Sequence, residues 1–380
     1  MQHFDLKNIL DTGKLEDFFT RKKTVSVGID IGTGSIKIVQ LEKKKEGIVL
    51  ENYALIEIKK EGQLVGNERY QAISKVIKKV LDDLDWEIDS ANVSIPANSS
   101  LITAVDFQGS SIEEINQRIK LEISRYIPIP LEEVIYGWDI VSKEANNVSE
   151  NLIGEKNQVD EKEKEKKDEN RKAIIVAVMK EISRKYEQAV SASEIAVEVL
   201  EVDVFSLARC LGKSGESSFL VDLGENSATL VTVLDQKPIV VKSLDLGSSK
   251  ITELIAHYLK VDIYRADKLK KEEGLTIKSE EIKSGIESLL RSLKEEITLM
   301  KQVFNQDFPS RPIEKIILSG GGAKMVGLKD FLVKELGMQV ELGLAFEKLV
   351  LPEKIKNRLM KLEQQFSVAV GLALLGLEEE

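Results

Sequence analysis

The 380-residue sequence contains a single cysteine, Cys210, and only two histidines, His3 and His257. One thiol excludes a disulfide framework, and two distant imidazoles cannot by themselves build a metal centre. Cys210 lies in an apolar helical run and reads as a small core residue, and His257 reads as structural. Long apolar runs are missing as well: no window approaches the roughly eighteen residues that a membrane span requires. Excess positive charge is also absent. Lysine and arginine number 54 against 64 aspartates and glutamates, a formal charge of −10, which argues against binding nucleic acid or an anionic membrane through bulk electrostatics. The opening MQHFDLKNILDTGKLEDFFTRKK scatters acids and lysines without an apolar centre. No signal peptide is expected there, and the reading is a soluble cytoplasmic protein. Residues 1–23 read as a frayed tail, a short amphipathic helix being the alternative.

With 42% hydrophobic residues the chain has material for two or more domains with real cores. The segment Val25–Leu41, VSVGIDIGTGSIKIVQL, alternates β-branched residues on both sides of a glycine-bearing turn, the pattern of a hairpin. Gly32, Thr33, Gly34 and Ser35 form that turn, whose uncovered N–H groups can converge on a phosphate. Asp30 at the end of the first strand is placed to hold the waters of a Mg²⁺ ion, and Lys37 adds a positive charge. Alone this is an ordinary surface turn. A second copy, FLVDLGENSATLVTVL (219–234), sets Asp222 against Gly224, Asn226 and Ser227 as Asp30 is set against Gly32, Gly34 and Ser35. Thr229 stands where the first copy has Lys37. The pair implies an internal duplication whose turns grip a phosphate chain from both sides. A third stretch, IEKIILSGGGAKMVGL (313–328), ends a buried-looking strand in Gly320, Gly321 and Gly322, which let backbone approach a ring or sugar closely.

These three stretches in this order resemble the actin-like ATPase superfamily. Within it the chain resembles the type IV pilus assembly PilM family, a relative of the FtsA cell-division proteins. The resemblance is carried by VGIDIGTGSIKIVQL, LEISRYIPIPLEEVIYGW (121–138), VFSLARCL (204–211), the second hairpin and ADKLKKEEG (266–274). It implies an α/β fold, actin-like and ribonuclease H-like, duplicated and carrying the inserted subdomain of the FtsA and PilM type. The expected division is 24–97, 191–214 and 361–380 as subdomain 1A, 98–190 as insert 1C, 215–243 with 310–360 as 2A, and 244–309 as 2B. The resemblance also implies ATP with Mg²⁺ as cofactors, Asp30 and Asp222 acting through water on the metal. Glu201 and Asp203 fall on the connector beneath the phosphates, where the family often shows D-x-E. The exchanged lengths leave efficient hydrolysis in doubt, and at most weak ATPase activity is expected. Gly247 maps near the nucleotide, Asp267 and Lys270 to the ribose and adenine, and Lys324 to the adenosine motif.

Between the motifs, Tyr70–Leu84 places Ile73, Val76, Ile77, Val80, Leu81 and Leu84 on one helical face, and Ile282 to Met300 repeat such a stripe. Both faces read as core. Ser111 and Glu114 make a capping box for a helix ending near Tyr126, before Pro128 and Pro130. The charged stretch 143–172 cannot bury enough surface to order itself and reads as a mobile hairpin loop. The end, Gly376 to Glu380, has the wrong charge for the basic membrane helix of FtsA relatives.

By resemblance the function is a nucleotide-binding scaffold. It docks the N-terminal cytoplasmic segment of the membrane protein PilN and links the inner-membrane platform to the motor ATPases of pilus assembly. It meets the membrane only through that partner. A homo-oligomer or filament stays open on superfamily analogy. Segment 127–138 reads either as partner surface or as a rigid turn into a core strand. The alternatives are an actin-superfamily small-molecule kinase and an FtsA-like division protein. A kinase requires a carboxylate base beside a substrate pocket, and no second carboxylate cluster around a polar pocket is legible.

Overall fold

The computed structural model describes residues 23–58, 67–107, 112–142 and 171–378. The expected N-terminal tail up to residue 22, the cap residue Ser111 and the loop through residue 170 lie outside the described residues. Arg171 and Lys172, expected in that loop, belong instead to a strand. Lys172 is buried there because its ammonium lies 3.1 Å from Asp307 and 3.3 Å from Asp106.

The first lobe opens with β1 (Val25–Ile31), β2 (Ser35–Lys44) and β3 (Gly47–Glu57), followed by α1 (Asn67–Asp83) and β4 (Ser90–Ile95). The inserted unit comprises β5 (Ser100–Phe107), α2 (Ile112–Tyr126), β6 (Val134–Ser142) and β7 (Arg171–Met179). The chain returns through α3 (Lys180–Ser191), β8 (Ala196–Val202) and α4 (Asp203–Leu211). The second lobe contains β9 (Ser217–Leu223), β10 (Ala228–Leu234), β11 (Lys237–Leu244), α5 (Ser248–Leu259), α6 (Ile263–Glu272) and α7 (Glu280–Asp307). It ends with β12 (Lys315–Ser319), α8 (Leu328–Leu336) and β13 (Gln339–Leu342), before α9 (Lys356–Leu359) and α10 (Ser367–Leu375).

Two five-stranded sheets repeat one topology, β3-β2-β1-β4-β8 and β11-β10-β9-β12-β13. The first three strands of each are antiparallel, and the last two run parallel to the first strand of their lobe. The register repeats too: Asp30 faces Lys37 and Asp222 faces Thr229. Strand β10, buried along its whole length, is a central strand, and Pro238 falls on edge strand β11, where a missing N–H is tolerated. Helix α10, whose sequence SVAVGLALL is apolar all round, is buried in the first lobe, where it packs on β1, β2, β4 and α4.

The insert forms a three-stranded sheet, β5-β7-β6. Strand alternation splits its residues. Ala173, Ile175 and Ala177 pack with Ile119 and Ile123 of α2. On the opposite face Val176, Val178 and Ile135 join the core of the first lobe, whereas Ile174 and Val141 join that of the second. The insert therefore bears on both lobes, and an ion pair between Asp139 and Lys237 reinforces the contact with the second. Helix α3, expected within the insert, packs on α1 through a Tyr70–Tyr186 edge contact at 5.4 Å.

Candidate functional site

Both hairpin turns close with the same hydrogen bond. Gly32 N–H donates to the Ser35 carbonyl at 3.0 Å, and Gly224 N–H donates to the Ser227 carbonyl at 3.0 Å. Thr33 and Asn226 are exposed at the tips. In the first hairpin both Asp30 oxygens are engaged: Oδ1 accepts the Ser94 hydroxyl at 3.0 Å and Oδ2 accepts Lys37 Nζ at 3.0 Å. In the second, Ser319 pairs in register with Asp222 and lies close enough to hold that carboxyl down, its hydroxyl lying 3.1 Å from the Gln364 carbonyl and 3.0 Å from Ser367 Oγ. Ser94 and Ser319 thus form a repeated serine–aspartate pair. Sequence reasoning missed both, because each serine reaches its aspartate only through the parallel neighbour strands β4 and β12.

The two turns face each other. A Cβ built on Gly34 would lie 2.8 Å from Cβ of Glu225 and 3.0 Å from its Cγ, so the hairpins of the two lobes touch at their tips. Gly247 lies under the second turn, where a Cβ would come within 2.0 Å of the Glu225 carbonyl. From there Ser248 and Ser249 N–H donate to the Gly224 and Glu225 carbonyls, both at 2.9 Å. The third glycine stretch joins the same place. Gly320 has a φ of +85°, and a side chain there would meet the Leu223 carbonyl and Asp222 Oδ1. Gly322 N–H donates to the Leu223 carbonyl at 2.9 Å. Gly321 between them borders open space. A turn-rich loop, rather than a helix, follows the glycines as far as Gly327.

Three carboxylates act on one another at this meeting point. Burial raises the Asp203 carboxyl well above its ordinary range, and the charges of Asp222 and Asp30 push it further, against hydrogen bonds from the Ala97 and Val204 N–H groups. Burial likewise raises Asp222 to about 6, with Asp30 adding to the rise and Lys37 and Ser319 opposing it. The sign of the resulting pH effect follows. An aspartate whose folded pKa exceeds its unfolded value of roughly 4 lets the unfolded chain lose its proton first, so stability falls as pH climbs from about 4 to about 6. Asp222→Asn is expected to gain about 2 kcal/mol relative to wild type between pH 4.5 and pH 7 in urea unfolding without metal. A difference that does not change with pH would contradict the assignment.

Other expected site residues point elsewhere. Glu201 is 3% exposed, receives two hydrogen bonds from Arg209, at 2.6 and 2.8 Å, and a third from Ser206. Arg209 also donates to the Gly371 carbonyl at 3.0 Å and pairs with Glu378 at 3.2 Å. Glu201 thus holds α4 to α10 and is not among the three interacting carboxylates. Lys270, expected at the ribose and adenine, is buried, with its ammonium on the Ser248 carbonyl, Thr252 Oγ1 and Asp267. Asp267 lies between Lys270 at 2.8 Å and Lys271 at 2.7 Å. Burial pushes its carboxyl up, but the two lysine bonds more than reverse this and hold it below the ordinary value. The neighbouring Lys271 is the exposed member of the pair, and its charge is felt by Glu57 of the first lobe and Glu225 of the second. It was missed because the two lysines are adjacent in sequence, and only the helix orientation decides which faces outward. Lys324 Nζ donates to the Lys361 carbonyl at 2.7 Å. Among the described residues no group of three or more His, Cys, Asp or Glu could hold a metal ion, and no helix is long and apolar enough to cross a membrane.

Known proteins share this architecture. A solved PilM–PilN type IV pilus biogenesis complex contains a chain with 22% identity and a TM-score of 0.74, the match covering 94% of this chain and 100% of that one. The ethanolamine utilization protein EutJ of Carboxydothermus hydrogenoformans matches with 15% identity and a TM-score of 0.50, over 93% of this chain and 90% of its own. MreB5 of Spiroplasma citri, solved with ADP, matches with 10% identity and a TM-score of 0.50, over 93% and 97%. These likenesses establish the actin-like fold. The sequence model of the type IV pilus assembly protein PilM matches residues 28–157 and 157–377. With the duplicated hairpins, the glycine strand end and the two-lobed topology in place, the chain belongs to the type IV pilus assembly protein PilM family.

Proposed function

We propose that the chain is a nucleotide-dependent scaffold of type IV pilus assembly, with the phosphates of ATP held between the two hairpin turns. The observation that carries this reading is the contact of Gly34 with Glu225, which brings the two hairpin turns together across the lobes. The solved MreB5 structures contain ADP or AMPPNP, and the open side of Gly321 leaves room for a sugar or base. Mg²⁺ fits this donor set only through waters and phosphate oxygens, because both Asp30 oxygens are already engaged. Asp222 is the second candidate for those waters. Nucleotide closes the lobes, and a partner that prefers the closed form shifts the population toward it. With Glu201 locked to Arg209, turnover is at most weak, since only Asp203 remains on the connector to position an attacking water.

The partner is the N-terminal cytoplasmic segment of PilN, the protein named with PilM in the solved complex. The outer face of the insert suits an extended apolar peptide: Tyr136, Trp138 and Ile140 are half-buried beside α2, and Leu121 and Tyr126 are exposed there. Through PilN the chain is held at the cytoplasmic side of the inner membrane and linked to the motor ATPases. The family match does not favour the kinase or FtsA alternatives.

Calorimetry of the full chain with that PilN peptide, with and without Mg-ATP, tests the scaffold. Peptide binding that tightens when nucleotide is present is expected. No peptide binding in either state contradicts it, and sustained phosphoryl transfer to a sugar or carboxylate would favour a kinase.

A further inference from the structure

Helix α1 begins at the cleft end of the first lobe. Strands β4 and β8 run parallel to β1, which ends in the first phosphate turn, so their C-terminal ends share that side. Helices α1 and α3 each precede one of these strands and run back to its start. They lie side by side in the same direction: Tyr70 meets Tyr186, Ser74 meets Ser193 at 3.0 Å, and Lys78 pairs with Glu194. The far end is fixed where Ala196 N–H donates to the Asp89 carbonyl. The first turn of α1, with Arg69 in it, therefore lies toward the phosphate turns. At the same end Ile58 N–H donates to the Gly34 carbonyl, where β3 leaves the cleft.

Arg69 has an unusual environment. Among the described residues its buried Nη2 has no hydrogen-bond partner. An arginine carries five donors that cannot be deprotonated, and a buried donor without an acceptor is destabilising. The ring beside it locates it further. Burial raises the pKa of the Tyr186 hydroxyl, Tyr70 and the carboxylates of Asp203 and Asp30 add to the rise, and Arg69 opposes it. One phenol thus lies within electrostatic reach of both the guanidinium and two of the three cleft carboxylates.

We propose that Arg69 is a phosphate receptor of the cleft, its guanidinium donating to the terminal phosphate of a bound nucleoside triphosphate. This rests on the nucleotide reading above and adds to it the residue that distinguishes triphosphate from diphosphate. Mg²⁺ offsets part of the phosphate charge, and a further cation offsets more. Asp30, Asp203 and Asp222 line the meeting point of the lobes, and the ammonium of Lys37 is already taken by Asp30 at 3.0 Å. A triphosphate adds further negative charge, and turn N–H groups supply only partial positive charges against it. The planar guanidinium offers two parallel donors to phosphate oxygens, a geometry lysine cannot copy.

The test is calorimetry on the full chain with Mg-AMPPNP and with Mg-ADP, for wild type, Arg69→Gln and Arg69→Lys. Arg69→Gln should weaken AMPPNP binding roughly 10- to 100-fold, the range for a charge-assisted contact, and leave ADP within about twofold. Arg69→Lys should recover part of the loss. The urea midpoint of nucleotide-free Arg69→Gln should equal or exceed that of wild type, because an unpartnered donor is removed. Equal losses for both nucleotides, or no loss for either, overturn the assignment while leaving the cleft reading intact. A wild-type chain that binds neither nucleotide overturns both.

Discussion

Replacing Arg209 by methionine should lower the unfolding free energy by about 3–5 kcal/mol, the cost of leaving a buried carboxylate without its partner. Glu201 is 3% exposed and Arg209 holds both of its oxygens, so no water can take over when the guanidinium is removed. The Gly371 carbonyl and Glu378 lose a donor at the same time. The double variant Glu201→Met with Arg209→Met should recover most of that loss, because an apolar pair of similar volume carries no desolvation cost. Equilibrium unfolding in urea separates the cases. A loss below about 1 kcal/mol for Arg209→Met would mean that Glu201 is solvated, and its structural role would have to be abandoned.

The second large effect concerns the hairpin tips. Gly34→Val should abolish nucleotide binding, weakening Mg-AMPPNP by roughly 100-fold or more, equivalent to about 3 kcal/mol. The backbone at Gly34 does not require a positive φ, so the valine is locally tolerated and the urea midpoint should change little. The added Cβ, however, meets the Cβ and Cγ of Glu225 at 2.8 and 3.0 Å. Those atoms are fixed near the backbone, and the carboxylate beyond them accepts the Ser248 hydroxyl at 3.2 Å. The lobes must therefore part, and the two sets of turn N–H groups can no longer address one phosphate chain. Unchanged affinity in a folded Gly34→Val protein would mean that the turns do not act together.

What could be read in advance follows from the range of each interaction. The hairpins were legible because strand alternation and the D-x-G-x-x-S spacing are local, and the same register then appeared in both lobes. Most of the stripe on α7 was legible for the same reason, with Ile282, Ile286, Leu293, Ile297 and Met300 buried, but Leu289, expected in it, is only partly covered and Leu290 takes the core position. Contacts made between elements were not. Ser94 and Ser319 become aspartate partners only when β4 and β12 lie beside β1 and β9. Glu201 was expected beneath the phosphates from the family resemblance, yet Arg209, two turns on, captures it. On α6 the sequence offers a run of lysines, and only packing against α5 buries Lys270 and leaves Lys271 outward. The end of the charged loop was misplaced for a related reason. Lys172 becomes a strand residue by pairing with Asp106 and Val141 in the sheet, and its charge is met by Asp307, more than a hundred residues away.

The most direct test of the account is amide hydrogen exchange on the full chain, with and without Mg-AMPPNP, followed in peptides covering residues 30–37 and 222–229. Slowing at both turns in the same titration, with one midpoint, is the result expected if a single phosphate chain bridges the lobes. Slowing at one turn alone, or at neither while nucleotide is demonstrably bound, would place the ligand elsewhere and contradict the account.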